Sequence, residues 1–193
     1  MIKMGQYFKA VLVGNEWQLQ VVRPNWRKLM EHSFYGSRTM KFIERILYRE
    51  ARNVMRVWDY SIASSLVWKH EVEDEIKLNY DADFSPELFL KRDTDLDYFL
   101  INKYSYEFIN MTRQETNKDL IDSYWDVVHP LPLLTRFETE EAWWWYHSDI
   151  GREYIWKRCW DIISIWAWKR EEYEKALKDN WYKDMTNVYF FKE

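Results

Sequence analysis

The chain has one cysteine, no long apolar run and no surplus of basic residues. Cys159 stands alone, which excludes an internal disulfide and a cysteine-rich zinc site and is typical of a reducing compartment. No stretch reaches the roughly 18 apolar residues that indicate a membrane span, and no charged segment followed by an apolar one marks a secretory signal. The net charge of −4 argues against general nucleic-acid binding. We therefore expect a cytoplasmic protein that neither crosses a membrane nor binds nucleic acid in general.

Aromatic residues, in contrast, are abundant. They make up 19% of the 193 residues and include 13 tryptophans. Tryptophan and tyrosine combine a large apolar body with one hydrogen-bonding group, so an excess indicates a stacking or protein-contact surface. A small core filled with large side chains would give the same composition. The length and the 47% of hydrophobic residues fit one sizeable core, so we expect a single domain over residues 1–193.

The first part of the chain predicts a hairpin and then the main helix. Residues 6–13 and 17–22 are β-prone and are separated by a Gly-Asn turn signal. Apolar residues then recur at helical spacing, which predicts a helix from its N-cap Ser37 to Arg52. A strand over residues 54–60 returns the chain to the sheet.

The remaining segments complete an α+β pattern. We predict an acid-rich solvated loop over 68–97 with a short helix capped by Ser85, and then a long strand or tight hairpin over 98–111. A Thr112–Glu115 capping box opens a short helix, and a strand follows over 161–165. A charged solvated helix over 170–178 ends near Asn180, and a last strand covers 188–191. The fold class is therefore α+β, with a mostly antiparallel sheet of about five to seven strands and one main helix packed on a face.

A proline-containing segment runs from His129 to Thr135 with the sequence His-Pro-Leu-Pro-Leu-Leu-Thr. Two prolines at alternate positions fix the backbone and remove two donors, so the segment belongs to neither a helix interior nor a central strand. Its three leucines are too apolar for a solvated loop. We predict an extended, anchored connector that lays His129 and Thr135 against a packed surface.

Three motifs together carry a resemblance: Met-Gly-Gln-Tyr-Phe at 4–8, Lys-Leu-Met-Glu-His-Ser at 28–33, and the segment at 129–135. In this order they resemble a widespread family of small bacterial and phage proteins of no assigned activity. The resemblance implies a phage or mobile-element origin, and it makes the charged helix over about 170–180 an insertion. Relatives often follow the last motif with a glycine-rich stretch, whereas this chain has an aromatic block there, so we expect no phosphate-cradling loop.

His32 and His129 are the candidate catalytic residues, with Glu31 as their partner. Glu31, His32 and Ser33 are consecutive and do not share a face, so they form no triad among themselves. If His32 and His129 lie in one cleft, they could act as acid and base, or bind a metal with Glu31 or Asp149. No short His-His spacing supports a metal site, and the acid-rich loop lacks the residues of a calcium loop. The sequence therefore indicates no metal and no cofactor, and a purely structural role for His32 stays open.

The aromatic block Trp-Trp-Trp-Tyr at 143–146 is the candidate contact surface. If it is extended, Trp143 and Trp145 share one side of the strand. The predicted contact residues are Trp143, Trp145, Tyr146, His147, Arg152 and Arg158, whose rings could stack on a base while the cations contact phosphate. A protein interface would use the same residues, and a strand buried on both sides is the structural alternative.

The leading hypothesis is a small binding protein that engages a nucleotide-like ligand or a host protein through an aromatic surface, in phage–host conflict. One alternative is a hydrolase or transferase that uses His32 and His129 with Glu31. Another is a structural or assembly component, which would form a homo-oligomer through an apolar self-complementary patch. Histidines that converge in one pocket would favour the enzyme, whereas a flat aromatic patch would favour binding.

Overall fold

The computed structural model describes residues 8–14, 19–24, 34–58, 74–78, 90–118, 127, 129–131, 136–137 and 161–187. Within these ranges the elements are β1 (Phe8–Val13), β2 (Leu19–Pro24), α1 (Arg38–Arg49), β3 (Arg52–Trp58), β4 (Asp74–Leu78), β5 (Asp97–Asn102), β6 (Glu107–Asn110), α2 (Met111–Glu115), β7 (Arg136–Phe137), β8 (Ile162–Trp168), α3 (Arg170–Asp179) and β9 (Lys183–Asp184). The predicted α+β class is confirmed.

The strands form one mostly antiparallel sheet in the order β4-β2-β1-β3-β8-β5-β6-β9, with β7 paired to β3. Five strand pairs are antiparallel, and β2–β4, β3–β7 and β6–β9 are parallel. β7 and β9 contain two residues each, and the other seven strands contain at least four. The predicted N-terminal hairpin is confirmed as β1–β2, and the segment over 98–111 proves to be the hairpin β5–β6.

Helix α1 forms because an N-cap precedes an apolar stripe. The Ser37 side chain accepts a hydrogen bond from the Met40 backbone N–H, as predicted. Met40, Ile43 and Leu47 follow at spacings of three and four and are fully or almost fully buried. The helix ends at its C-cap Glu50, whose backbone is extended. The predicted end at Arg52 is therefore wrong, since Arg52 opposite Ile163 already belongs to β3.

The main core lies between α1 and one face of the sheet. The register places Leu100 of β5 opposite Ile165 of β8 and Ile109 of β6, so all three side chains face α1. The core also contains Ala10, Leu12, Val22, Met40, Ile43, Leu47, Val54, Tyr98, Met111, Leu131, Ile163 and Met185. Full burial of each large aliphatic side chain contributes about 1.5–3 kcal/mol, so this layer dominates the stability of the fold.

Helix α3 packs on the opposite face of the sheet. Phe99, Ile101 and Phe108 point to that side and form a second cluster with Leu177 of α3. Phe99 also meets the ring of Tyr173 edge-on, with 5.0 Å between centroids. The helix was predicted to be solvated, and this is wrong for Leu177 and Tyr173, because both cover apolar side chains of the sheet. β5 therefore lies between two helices and has all six residues buried.

Three local predictions are corrected by the structure. Residues Asp74–Leu78, within the predicted loop over 68–97, form β4, whose parallel pairing with β2 outweighs the poor strand propensity of its acids. The capping box at Thr112 does not form, because Asn110 caps α2 instead. Leu131 is helical, although an extended segment was predicted, since the fixed φ of a proline also suits a first helical turn. The helix near Ser85 and the strand over 188–191 lie outside the described residues.

Candidate functional site

A buried polar network surrounds Arg92, in the segment that leads into β5. Its Nη2 lies 2.8 Å from Oε1 of Glu44 on α1, and its Nη1 pairs with the carboxylate of Glu115 at the end of α2. The guanidinium also lies 5.6 Å from the ring centroid of Tyr35 and 5.5 Å from that of Tyr98. Burial lowers the pKa of Arg92, but the two carboxylates outweigh it and the pKa is raised. Arg92 therefore stays charged and joins α1 to α2.

His129 completes this network and is fully buried. Its Nδ1 accepts a hydrogen bond of 3.1 Å from the Leu131 backbone N–H, so the ring proton resides on Nε2. Nε2 lies 3.4 Å from Oε1 of Glu44, and the ring lies 4.5 Å from that of Tyr35. The prediction that the segment lays His129 against a packed surface is thus confirmed. The second residue of that prediction, Thr135, lies outside the described residues.

Tyr35 and Gln114 extend the network to the C-terminal segment. The Tyr35 hydroxyl donates to Oε1 of Gln114, and Nε2 of Gln114 donates to the backbone carbonyl of Thr186 at 3.3 Å. Burial raises the pKa of the Tyr35 phenol well above its usual value, so the hydroxyl remains a donor. The network pairs several buried polar groups with one another and specifies how the helices sit on the sheet.

The candidate catalytic residues are only partly described. His32 and Glu31 lie outside the described residues. His129 itself is fully buried and accepts a hydrogen bond at Nδ1 from the Leu131 N–H, while its Nε2 lies 3.4 Å from Oε1 of Glu44 without hydrogen-bond geometry, which positions it as a structural residue. Among the described residues, no group of three histidine, cysteine, aspartate or glutamate side chains is arranged to hold a metal ion.

A second charged network fastens α3 to the sheet. The guanidinium of Arg170 binds both carboxylate oxygens of Asp97, and the Asn110 amide donates to Oδ2 of Asp97 at 2.7 Å. The same amide and Arg113 both donate to Oε1 of Glu174 on α3. Burial raises the pKa of Asp97, but the hydrogen bonds from Arg170 and Asn110 outweigh it and hold the pKa below its usual value. This network is structural, because its donors and acceptors satisfy one another.

Exposed aromatic side chains lie on β8, beside α3. Trp166 and Trp168 are 45% and 48% exposed and, with Ile162, form what we call the tryptophan face. Trp166 donates from Nε1 to Oγ of Ser164 at 3.2 Å, and Nζ of Lys103 lies 5.9 Å from its ring centroid. Trp168 packs against Tyr173 with 5.9 Å between centroids. Each indole is therefore held by its own chain while much of it stays in solvent.

A second exposed group lies where the β5–β6 turn meets the turn after α3. We call Tyr104, Tyr106, Trp181 and Tyr182 the aromatic tip. The Lys183 N–H donates to the Tyr106 carbonyl at 2.8 Å, and the Tyr106 and Tyr182 rings lie 5.4 Å apart. Tyr106 and Trp181 have φ values of 54° and 67°, a left-handed conformation that is uncommon for residues other than glycine. Trp181 is 90% exposed.

The contact residues predicted from the sequence are not those that the structure describes. Trp143, Trp145, Tyr146, His147, Arg152 and Arg158 all lie outside the described residues. Trp166, Trp168 and Trp181 are not among the residues predicted from the sequence. The alternation of Ile162, Trp166 and Trp168 with the buried Ile163 and Ile165 was the available signal, since alternate residues of a strand share one face.

Comparison of the chain with family models, curated proteins and solved structures finds no match. Among the described helices none is long and apolar enough to cross a membrane.

Proposed function

We propose that this protein is a binding protein that holds a partner protein on the tryptophan face. The observation that carries the proposal is the exposure of Trp166 and Trp168 on the same side of β8. Tryptophan is enriched among the interface residues that contribute most binding energy. Two half-exposed indoles beside the exposed Ile162 on one strand face expose more apolar surface than a lone residue does, and contiguous apolar surface favours a contact site.

The fixed orientation of the two indoles supports the same proposal. Trp166 is oriented by Ser164 and Lys103, and Trp168 by Tyr173. Binding immobilises mobile side chains at a cost of about 0.5–1.5 kcal/mol each, and rings that are already held avoid much of it. The full burial of His129, with its Nδ1 occupied by the Leu131 N–H, supports binding over the histidine-based hydrolase or transferase. The resemblance of the three sequence motifs to phage and bacterial proteins makes a host protein the partner class that we propose.

Capture of partners by tagged full-length protein in cells of its source tests this function. We expect one or more proteins to be retained by the wild type and lost with Trp166→Ala plus Trp168→Ala. Trp181→Ala removes a more exposed tryptophan that lies outside the tryptophan face; it is the control and should retain them. With purified partner, the double variant should weaken binding by about 2–4 kcal/mol. Equal retention by the wild type and the double variant would contradict the proposal, and so would saturable quenching of both indoles by a nucleotide alone.

A further inference from the structure

We propose that the aromatic tip is a self-association surface, through which two copies of this chain form a two-fold symmetric dimer. The tip lies where two turns meet, because the Lys183 N–H of one turn donates to the Tyr106 carbonyl of the other at 2.8 Å. Its most exposed rings are Tyr104, Tyr106 and Trp181, at 77%, 57% and 90%. This surface is distinct from the tryptophan face, whose two indoles lie on β8.

The tip exposes enough apolar surface for a weak but specific contact. A covered aromatic side chain buries about 150–250 Å², so at these exposed fractions the three rings present roughly 350–550 Å² per copy. Two copies that cover each other's rings therefore bury about 700–1,100 Å² through the rings alone. With the surrounding polar side chains added, the contact reaches the lower end of specific protein interfaces, about 1,200 Å². We therefore expect a reversible dimer that forms at micromolar or higher concentration.

The charges of the tip favour a second copy over a strongly charged partner. The two turn segments, residues 102–107 and 178–184, contain three lysines and three carboxylates: Lys103, Lys178, Lys183, Glu107, Asp179 and Asp184. The two signs are intermixed, since Lys178 lies 3.5 Å from Asp184. A patch without net charge gives no attraction to a polyanion or a polycation. A second copy brings equal numbers of both signs, so a two-fold axis pairs each charged side of the patch with its opposite.

The backbone at the tip holds the rings outward in an unfavourable conformation. Hydrogen bonds from the Trp181 N–H to the Lys178 carbonyl and from the Tyr182 N–H to the Leu177 carbonyl, at 3.0 Å each, close the turn after α3. This is a Schellman motif, whose left-handed position is normally glycine. Trp181 occupies that position with a φ of 67°. Because its ring is 90% exposed, it contributes little to the stability of a single chain, and a contact outside the chain is what offsets the strain.

Sedimentation velocity of the full-length protein over a concentration series tests the proposal. We expect a monomer–dimer equilibrium that Trp181→Ala weakens by about tenfold or more, as truncation of a central interface tryptophan does. Trp166→Ala plus Trp168→Ala is the matched control, since it removes two exposed indoles outside the tip, and it should dimerise like the wild type. Hydrogen exchange at high protein concentration should show protection of residues 102–107 and 178–184. Circular dichroism and thermal melting should show that Trp181→Ala remains folded, because its ring is almost fully exposed.

Charge reversal separates the pairing of two identical tips from general adhesion of the rings. Asp179→Lys removes one carboxylate and adds one ammonium group, which gives the tip a surplus of two positive charges, and Lys183→Glu gives a surplus of two negative charges. Two identical variant tips repel each other, so each variant alone should dimerise more weakly than the wild type. An equimolar mixture of the two variants should regain association, because their tips attract. Added salt should weaken the association of the mixture.

A protein that stays monomeric at submillimolar concentration would overturn the proposal. A dimer that Trp181→Ala leaves intact would do the same, as would a mixture of the charge variants that associates no better than either variant alone. Loss of partner capture with Trp181→Ala, in a protein that stays monomeric, would assign the tip to the host protein instead. The result is separable from that of the proposed protein binding, because Trp166→Ala plus Trp168→Ala should abolish partner capture and leave dimerisation unchanged.

Discussion

Oε1 of Glu44 lies 2.8 Å from Nη2 of Arg92, and the carboxylate is almost completely buried. The pair joins the middle of α1 to the segment that enters β5, and His129 approaches the same carboxylate oxygen. Glu44 is therefore the residue on which three separate parts of the chain converge. The guanidinium of Arg92, which donates to this oxygen, offsets the cost of burying its charge.

Replacement of Arg92 by methionine should lower the free energy of unfolding by about 3–5 kcal/mol, because Glu44 would remain buried without its main counter-charge. Urea denaturation monitored by circular dichroism measures the change. Arg92→Met combined with Glu44→Gln is the control and should regain part of the loss, since the buried charge is gone. A loss below about 1 kcal/mol in the single variant would mean that water replaces Arg92 at Glu44.

The tautomer of His129 can be observed directly. Nuclear magnetic resonance correlations of the imidazole nitrogens should show Nε2 protonated and Nδ1 acting as an acceptor, because the Leu131 N–H occupies Nδ1. His129→Ala should destabilise the fold by about 2–4 kcal/mol through the cavity and the abandoned Leu131 donor. The opposite tautomer, or a His129→Ala protein of unchanged stability, would remove His129 from the structural network described above.

The Asp97–Arg170 pair predicts a pH dependence of stability. Because hydrogen bonds hold the pKa of folded Asp97 below its usual 3.8, its stabilising contribution is present above that value and is lost as the pH falls through the lower pKa of the folded state. The free energy of unfolding should therefore decline more steeply below about pH 4 in the wild type than in Asp97→Asn. Parallel curves for the two proteins in this acidic range would show that Asp97 titrates identically in the folded and unfolded chains.

Trp181→Gly should stabilise the protein by about 1 kcal/mol, because glycine adopts the left-handed conformation of this position without a steric penalty. Trp181→Ala is the matched control, since it removes the ring but keeps the Cβ that causes the strain, and it should leave stability nearly unchanged. Thermal and urea midpoints of the two variants give the comparison. Equal midpoints would show that the turn carries no strain at Trp181.

Local signals made α1 predictable, whereas pairing with distant segments decided the elements that were missed. Ser37 and the spacing of Met40 and Ile43 identify the helix within one stretch of sequence. β4 carries acids and was predicted as a loop, because its strand character comes from β2, far away in the sequence. Thr112 is a residue type that often caps helices, and Glu115 follows it at the spacing of a capping box. Its hydroxyl instead accepts a hydrogen bond from the Tyr98 N–H, and Asn110 caps α2.

For the candidate sites, too, the sequence identified some residues, whereas their partners and exposure depend on tertiary packing. The sequence marked His129 as unusual, but its partner Glu44 lies on a helix that no local pattern connects to it. Trp166 and Trp168 are exposed because α3 packs on Phe99, Ile101 and Phe108 and leaves much of the two indoles uncovered. The position of α3 on the sheet is a result of tertiary packing and has no local sequence signal. Aromatic abundance predicted a contact surface, and the described surface does expose tryptophan and tyrosine, at positions that composition could not single out.

The position of β8 in the sheet has a consequence for biosynthesis. β8 lies between β3 and β5, so it joins the strands β4-β2-β1-β3 to the strands β5-β6-β9. A nascent chain that has left the ribosome only as far as Asp161 holds two strand groups that no described strand connects. The hydrophobic layer beneath α1, which takes Ala10 and Leu12 from one group and Leu100 and Ile109 from the other, therefore closes late. Until β8 pairs with both groups, those apolar side chains lack part of their cover, and the two halves of the sheet are not joined.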